Sequence, residues 1–200
     1  MGQTAKIREI PYNYTSFSDR EIVIRFLGAE TWETLETLRA KRETGRSART
    51  LFEILGDLWV VSRNPFLQED LLEHPKRRDA LLESMDQRIQ LIVDRAKGNP
   101  LVFRLVEKLR EAVQAFGDWF PRREAMRRKA RHAFARITHE ENIDFTPMAR
   151  VAHITDATDW RVECPALVLK PDREEEVAPL VALCGDLGLP VIPRGGGTGY

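Results

Sequence analysis

The sequence contains only two cysteines, Cys164 and Cys184, in 200 residues. That excludes a disulfide framework, and two thiols alone do not hold an iron–sulfur cluster. They read as buried thiols in a reducing compartment. Histidine is equally sparse. His74, His132, His139 and His153 form no metal-like pair, and no H-E-x-x-H string occurs, so no metal site is expected. No apolar run approaches the roughly 20 residues of a membrane span. The N-terminus is too polar for a secretory signal, and Lys6 stands where a myristoylation motif wants Ser or Thr. Neither sign of charge dominates, with 31 Lys plus Arg against 31 Asp plus Glu. General nucleic-acid binding needs a basic surplus that is absent here. There is no internal repeat and no low-complexity tract. These absences leave a globular chain of one domain or two small ones, expected in the cytoplasm.

What is present is largely helical. Ser18 and Glu21 make a capping box for a helix over about 19–27 that stops at Gly28, although the β-branched run Ile22-Val23-Ile24 also suits a strand. Thr31 is placed to cap the next helix, with Trp32, Leu35 and Leu38 on its apolar face and Gly45 ending it. Leu51, Leu55 and Leu58 mark a helix over 47–60, and Asn64-Pro65 breaks the chain. Leu81, Met85, Ile89, Ile92 and Ala96 define a long amphipathic helix that Gly98-Asn99-Pro100 terminates. Val102, Leu105, Leu109, Ala112 and Phe116 define another, ending near Gly117. Met126, Ala130, Phe134 and Ile137 define one more, entered at Pro121.

Near residue 143 the helical spacing stops. Ala166-Leu167-Val168-Leu169 reads as a buried strand. Asp172 and Glu175 read as a capping box for a helix over about 173–187 that Gly188 closes, with Pro179 as an awkward interior residue. Val191-Ile192 reads as the next strand. A β–α–β unit of this kind implies parallel pairing through a right-handed crossover. The expected class is α+β, with a helical region over 1–142 and an α/β segment over 143–200.

The chemistry lies at Pro193-Arg194-Gly195-Gly196-Gly197-Thr198-Gly199-Tyr200. Glycine reaches positive φ and lets backbone approach a ligand closely, and successive N–H groups in such a turn form a nest for anions. The expected ligand is a phosphate or diphosphate. No Lys-Ser/Thr pair follows the glycines, so this is not a P-loop, and Tyr200 occupies the third glycine position of the dinucleotide fingerprint. A plain structural turn is the alternative, but one tight turn does not need four glycines.

Pro165-Ala-Leu-Val-Leu-Lys-Pro, the acidic helix start Glu174-Glu175-Glu176-Val177 and the glycine string together resemble the first FAD-binding subdomain of the p-cresol methylhydroxylase and vanillyl-alcohol oxidase superfamily. Within it the segment is most similar to the glycolate oxidase, D-lactate dehydrogenase and D-2-hydroxyglutarate dehydrogenase branch, and Thr155-Asp156-Ala157-Thr158-Asp159-Trp160-Arg161 resembles that branch's lead-in. Thr44-Gly45-Arg46-Ser47-Ala48-Arg49 and Ser62-Arg63-Asn64-Pro65-Phe66-Leu67 resemble an N-terminal extension of unassigned role found in large bacterial members. The resemblance implies the truncated start of a PCMH-type FAD-binding domain. Backbone N–H groups of Arg194 to Gly199 would cradle the FAD diphosphate, with Pro193 and Tyr200 flanking them. Covalent members carry a flavin-linked histidine near the position of Thr198, so FAD is expected to be non-covalent. The implied full-length enzyme oxidises a D-2-hydroxy acid and passes electrons to a quinone, cytochrome or electron-transfer protein. Its location would be cytoplasmic or peripheral at the inner membrane. Its catalytic residues, and any iron–sulfur cluster, would lie downstream, so this segment alone is expected to be inactive.

Three further features stand beside the loop. His153 is the histidine best placed for a flavin-proximal role. Asp156 and Asp159 suit turn capping more than acid–base work, and Trp160 suits the core. Arg122, Arg123, Arg127, Arg128, Lys129, Arg131 and Arg136 are opposed only by Glu124. They read as a solvated helix face or as a docking patch for an anionic partner. Two readings compete with the flavoenzyme: a helical protein-interaction module with a non-redox phosphate-binding loop, and a nucleotide-phosphate binder without redox chemistry.

Overall fold

The computed structural model describes residues 18–41, 45–154 and 164–198. The chain divides into two compact units, residues 1–119 and 120–200. The boundary between them falls within the helix Pro100–Phe134.

The first unit is helical: α1 (Asp19–Leu27), α2 (Ala29–Ala40), α3 (Gly45–Arg63), α4 (Pro65–Glu73), α5 (Pro75–Arg95) and the opening turns of α6 (Pro100–Phe134). The Ser18 capping box forms as expected: its hydroxyl accepts from the Glu21 N–H at 3.3 Å, and its own N–H donates to Glu21 at 3.0 Å. The β-branched run therefore stays helical, with Val23 fully buried. Gly28, at φ 89°, ends α1 and also caps α2. Thr31 consequently sits inside the first turn of α2 and does not cap it; its hydroxyl donates to the Leu27 carbonyl at 2.7 Å. Gly45 opens α3 and does not close α2.

Asn64-Pro65 ends α3, as expected, but also starts α4. The Asn64 side chain accepts from the N–H groups of Phe66 and Leu67 at 3.0 and 3.3 Å, and Pro65 takes the first helical position, where its missing donor costs nothing. Gln68 donates back to the carbonyls of Val61 and Ser62 at 3.0 and 2.9 Å. Arg63, only 2% exposed, stacks on Trp59 at 5.1 Å. The Ser62–Leu67 string is thus a helix–helix corner. The core of the unit is a cluster of Leu51, Ile54, Leu55, Leu58, Met85, Ile89 and Leu109. Arg49 pairs with Glu53 at 2.9 Å.

Two helices predicted either side of Gly117 are one. Gly117 faces Leu82, whose Cδ1 would lie 3.4 Å from a Cβ at that position. It serves close packing and does not end the helix. Pro121 gives no N–H to the ladder and costs about 3 kcal/mol. Burial of Leu109 and Val113 before it, and of Ala130 and Phe134 after it, offsets that loss.

The second unit holds the rest of α6, a 3-10 turn (Glu140–Asn142), β1 (Ile143–Asp144), α7 (Pro147–Ala152), β2 (Val168–Leu169) and α8 (Glu174–Asp186). The expected parallel β–α–β unit is not formed among the described residues. β2 pairs antiparallel with β1, in the register Ile143 with Leu169 and Asp144 with Val168. Val191 and Ile192 are 46% and 71% exposed and pair with no strand among the described residues. The class is nonetheless α+β, dominated by helix. Pro179 stays within α8, at an exposed position, because Glu176, Leu180 and Cys184 on the opposite side are buried. Ala130, Phe134, Ile143, Phe145, Leu180 and Cys184 form the core.

The Asp172–Glu175 box does not form. Asp172 accepts from Asn142 Nδ2 at 2.7 Å, and the carboxylate that folds back is Glu176, which accepts from the Asp172 N–H at 3.2 Å. Asn142 also donates to the Thr138 hydroxyl at 2.9 Å. The hydrogen bond from Thr138, with those from the Asp172 N–H and Arg173, holds the Glu176 carboxyl below its usual value against the opposing effect of burial.

Candidate phosphate-binding loop

The loop is aimed by the end of α8. The Gly188 N–H donates to the Gly185 carbonyl at 3.0 Å, and the Leu189 N–H donates to the Cys184 carbonyl at 2.8 Å, with Gly188 at φ 66°. This Schellman arrangement reverses the chain and lays Leu187 and Leu189 on the core. Pro190 and Pro193 then bracket an exposed Val191-Ile192 pair and supply no N–H of their own. The first turn of α8 carries Glu174, Glu175 and Glu176. Its own carboxylates therefore answer its dipole, and an external anion is better received by the loop.

The glycines are not equivalent. Gly197 lies at φ 71°, a conformation that side-chain-bearing residues rarely adopt. A Cβ there would sit 2.6 Å from Arg194 Nη2 and 2.9 Å from its Nε. The Arg194 side chain folds back across the loop and lays its guanidinium on Gly197. Around Gly195 a Cβ would meet nothing within 4 Å, and at Gly196 its nearest neighbour would be the Thr198 hydroxyl at 3.9 Å. Neither has positive φ, so packing does not demand glycine at either position. What their bareness leaves is open access to main chain. No acidic side chain occurs between Leu187 and Thr198. Open amides and a folded-over cation suit a diphosphate.

Of the residues predicted for this site, Pro193, Arg194, Gly195, Gly196 and Thr198 are exposed and Gly197 is half-buried. Gly199 and Tyr200 lie outside the described residues, as do Asp156, Asp159 and Trp160 of the lead-in. His153 ends α7, with Nδ1 2.7 Å from the Ala149 carbonyl. Cys184 is buried, which pushes its thiol up; Cys164 is half-buried.

The basic run is not simply a solvated face. Arg123 donates to the Ala166 carbonyl through Nη2, and Arg127 and Arg131 stack on Phe145 at 5.7 and 5.5 Å. Arg150, 3% exposed, donates from Nε to the Pro165 carbonyl at 2.9 Å. Two arginines thus hold the segment that leads into β2. No spacing in the sequence announces these contacts, which join residues 15 and 43 positions apart.

The glycolate oxidase subunit GlcD of Bacillus subtilis (strain 168) is 29% identical over 62 residues, covering 31% of this chain and 13% of that protein. The chain therefore spans only a small part of the relative it matches. No solved structure matches. A family model described as a protein of unknown function, DUF3683, matches residues 5–118, almost the whole of the first compact unit. That match covers more than half of the sequence, and the chain belongs to the DUF3683 family.

Proposed function

We propose that the chain is the N-terminal part of a FAD-dependent oxidoreductase, with residues 193–200 as the seat of the FAD diphosphate and 143–200 as the start of its flavin-binding domain. The observation that carries the reading is Gly197 at positive φ beneath the Arg194 guanidinium, beside the open backbone of Gly195 and Gly196. The partial likeness to a glycolate oxidase subunit supports the same class. Main-chain N–H groups of Arg194 to Thr198 would donate to the diphosphate oxygens, and Arg194 would supply positive charge. The flavin ring, held without a covalent bond, would supply the hydride-accepting chemistry. A D-2-hydroxy acid is the proposed substrate, and a quinone, cytochrome or electron-transfer protein the acceptor.

Purification of the full-length protein with and without Gly197→Val tests this. The wild type is expected to carry the visible flavin absorption band and the variant to lose it. An unflavinated wild type, or a variant that keeps its full complement, overturns the assignment. The second reading is a helical protein-interaction module over residues 17–137 with a non-redox phosphate-binding loop. A colourless, folded full-length protein would leave that reading standing alone.

A further inference from the structure

A basic, apolar-centred hollow lies in the second unit. Ala125, Met126, Lys129 and Ala130 of α6, with Leu187 and Leu189 beyond α8, line a space of about 250 Å³. Ala125, Met126 and Lys129 fall at i, i+1 and i+4, so a cation stands at one end of the apolar wall, with Arg128 beside it on the same helix. Arg122, Arg128 and Lys129 are all exposed. Arg123, Arg127 and Arg131 of the same basic run are engaged with Ala166, Phe145 and Glu140, and Arg128 and Lys129 are left facing solvent. Two adjacent exposed cations give this rim a positive local potential.

We propose that this hollow docks an acidic segment of a partner protein, which places one apolar side chain of leucine or phenylalanine size between α6 and the Leu187–Leu189 segment and its carboxylates on Arg128 and Lys129. The shape favours a protein segment over a lipid surface. A bilayer is entered by protruding apolar side chains, whereas here the apolar surface is concave and the exposed apolar residue that lines it is the small Ala125. A concave site with an apolar floor and a charged rim takes an anchor residue and orients it electrostatically. The inference stands on the α6 geometry and does not depend on the flavin reading.

The test uses the full chain and a fluorescein-labelled peptide of glutamates around a single central leucine. Anisotropy reports binding. Lys129→Glu removes a rim cation, and Ala125→Phe fills the hollow; both positions are exposed, and circular dichroism confirms that each variant is folded. Saturable binding is expected, weakened about tenfold by either substitution, and lost when serine replaces the peptide's leucine. Three results would each overturn the proposal: equal affinity for the serine peptide, unchanged affinity in both variants, or binding to phosphatidylglycerol vesicles with none to the peptide.

Discussion

The Arg194 guanidinium occupies the space that a side chain at Gly197 would need, with Nη2 2.6 Å from the position of a Cβ. One residue is thereby fixed as glycine for two reasons, its positive φ and its covered face. Gly197→Ala should cost the loop conformation about 1–2 kcal/mol and turn Arg194 outward. Gly195→Ala has space on every side. In the full-length protein, FAD titration should show a weakened Gly197→Ala variant. Thermal melts of Gly195→Ala should match the wild type, because the loop is exposed and carries little of the core.

The Glu176 carboxyl predicts an acid limit for the second unit. Its folded pKa is lowered from 4.5, so the ionised form stabilises the fold. That contribution is complete above pH 4.5 and is lost as pH falls through the folded value. Urea denaturation followed from pH 7 downward should show this loss below 4.5. Glu176→Gln should be less stable at pH 7 and should show a shallower decline with acid.

Arg150 should matter more than its position in a short helix suggests. Arg150→Met removes the donor to the Pro165 carbonyl, a charge-assisted bond worth about 1.5–3 kcal/mol. Lysine is not expected to replace it, since an ammonium cannot reproduce the fixed guanidinium fork. Denaturation midpoints of the two variants check both statements.

In the first unit, Leu55 is fully buried in the cluster with Leu58, Ile89 and Leu109. Leu55→Ala should cost about 2–5 kcal/mol. Asn64→Ala should cost about 1 kcal/mol through loss of the α4 cap. Equilibrium unfolding in urea, read by tryptophan fluorescence, measures both.

The helices that the sequence makes legible are those whose apolar residues recur every three or four positions, such as Met85, Ile89 and Ile92 of α5. Local chemistry that serves two purposes was harder to read. Pro65 is a breaker for α3 and a first-turn residue for α4. Pro121 looks like a helix start yet lies within α6, because burial on both sides outweighs one missing hydrogen bond. Asp172 has the sequence of a cap, but Asn142 claims its carboxylate from 30 residues away. The strand at Val168 was readable from its apolar run. Its partner was not, since Ile143–Asp144 is only two residues long. The glycine string itself was plain in the sequence, whereas the fold of Arg194 over Gly197, which separates that glycine from its neighbours, is visible only in three dimensions.

The most direct measurement is hydrogen–deuterium exchange across residues 190–198 in the full-length protein, with FAD bound and after its removal. If the amides of Arg194 to Thr198 hold the diphosphate, their exchange slows markedly when FAD is present. Bound flavin with unchanged exchange in this segment would contradict the account.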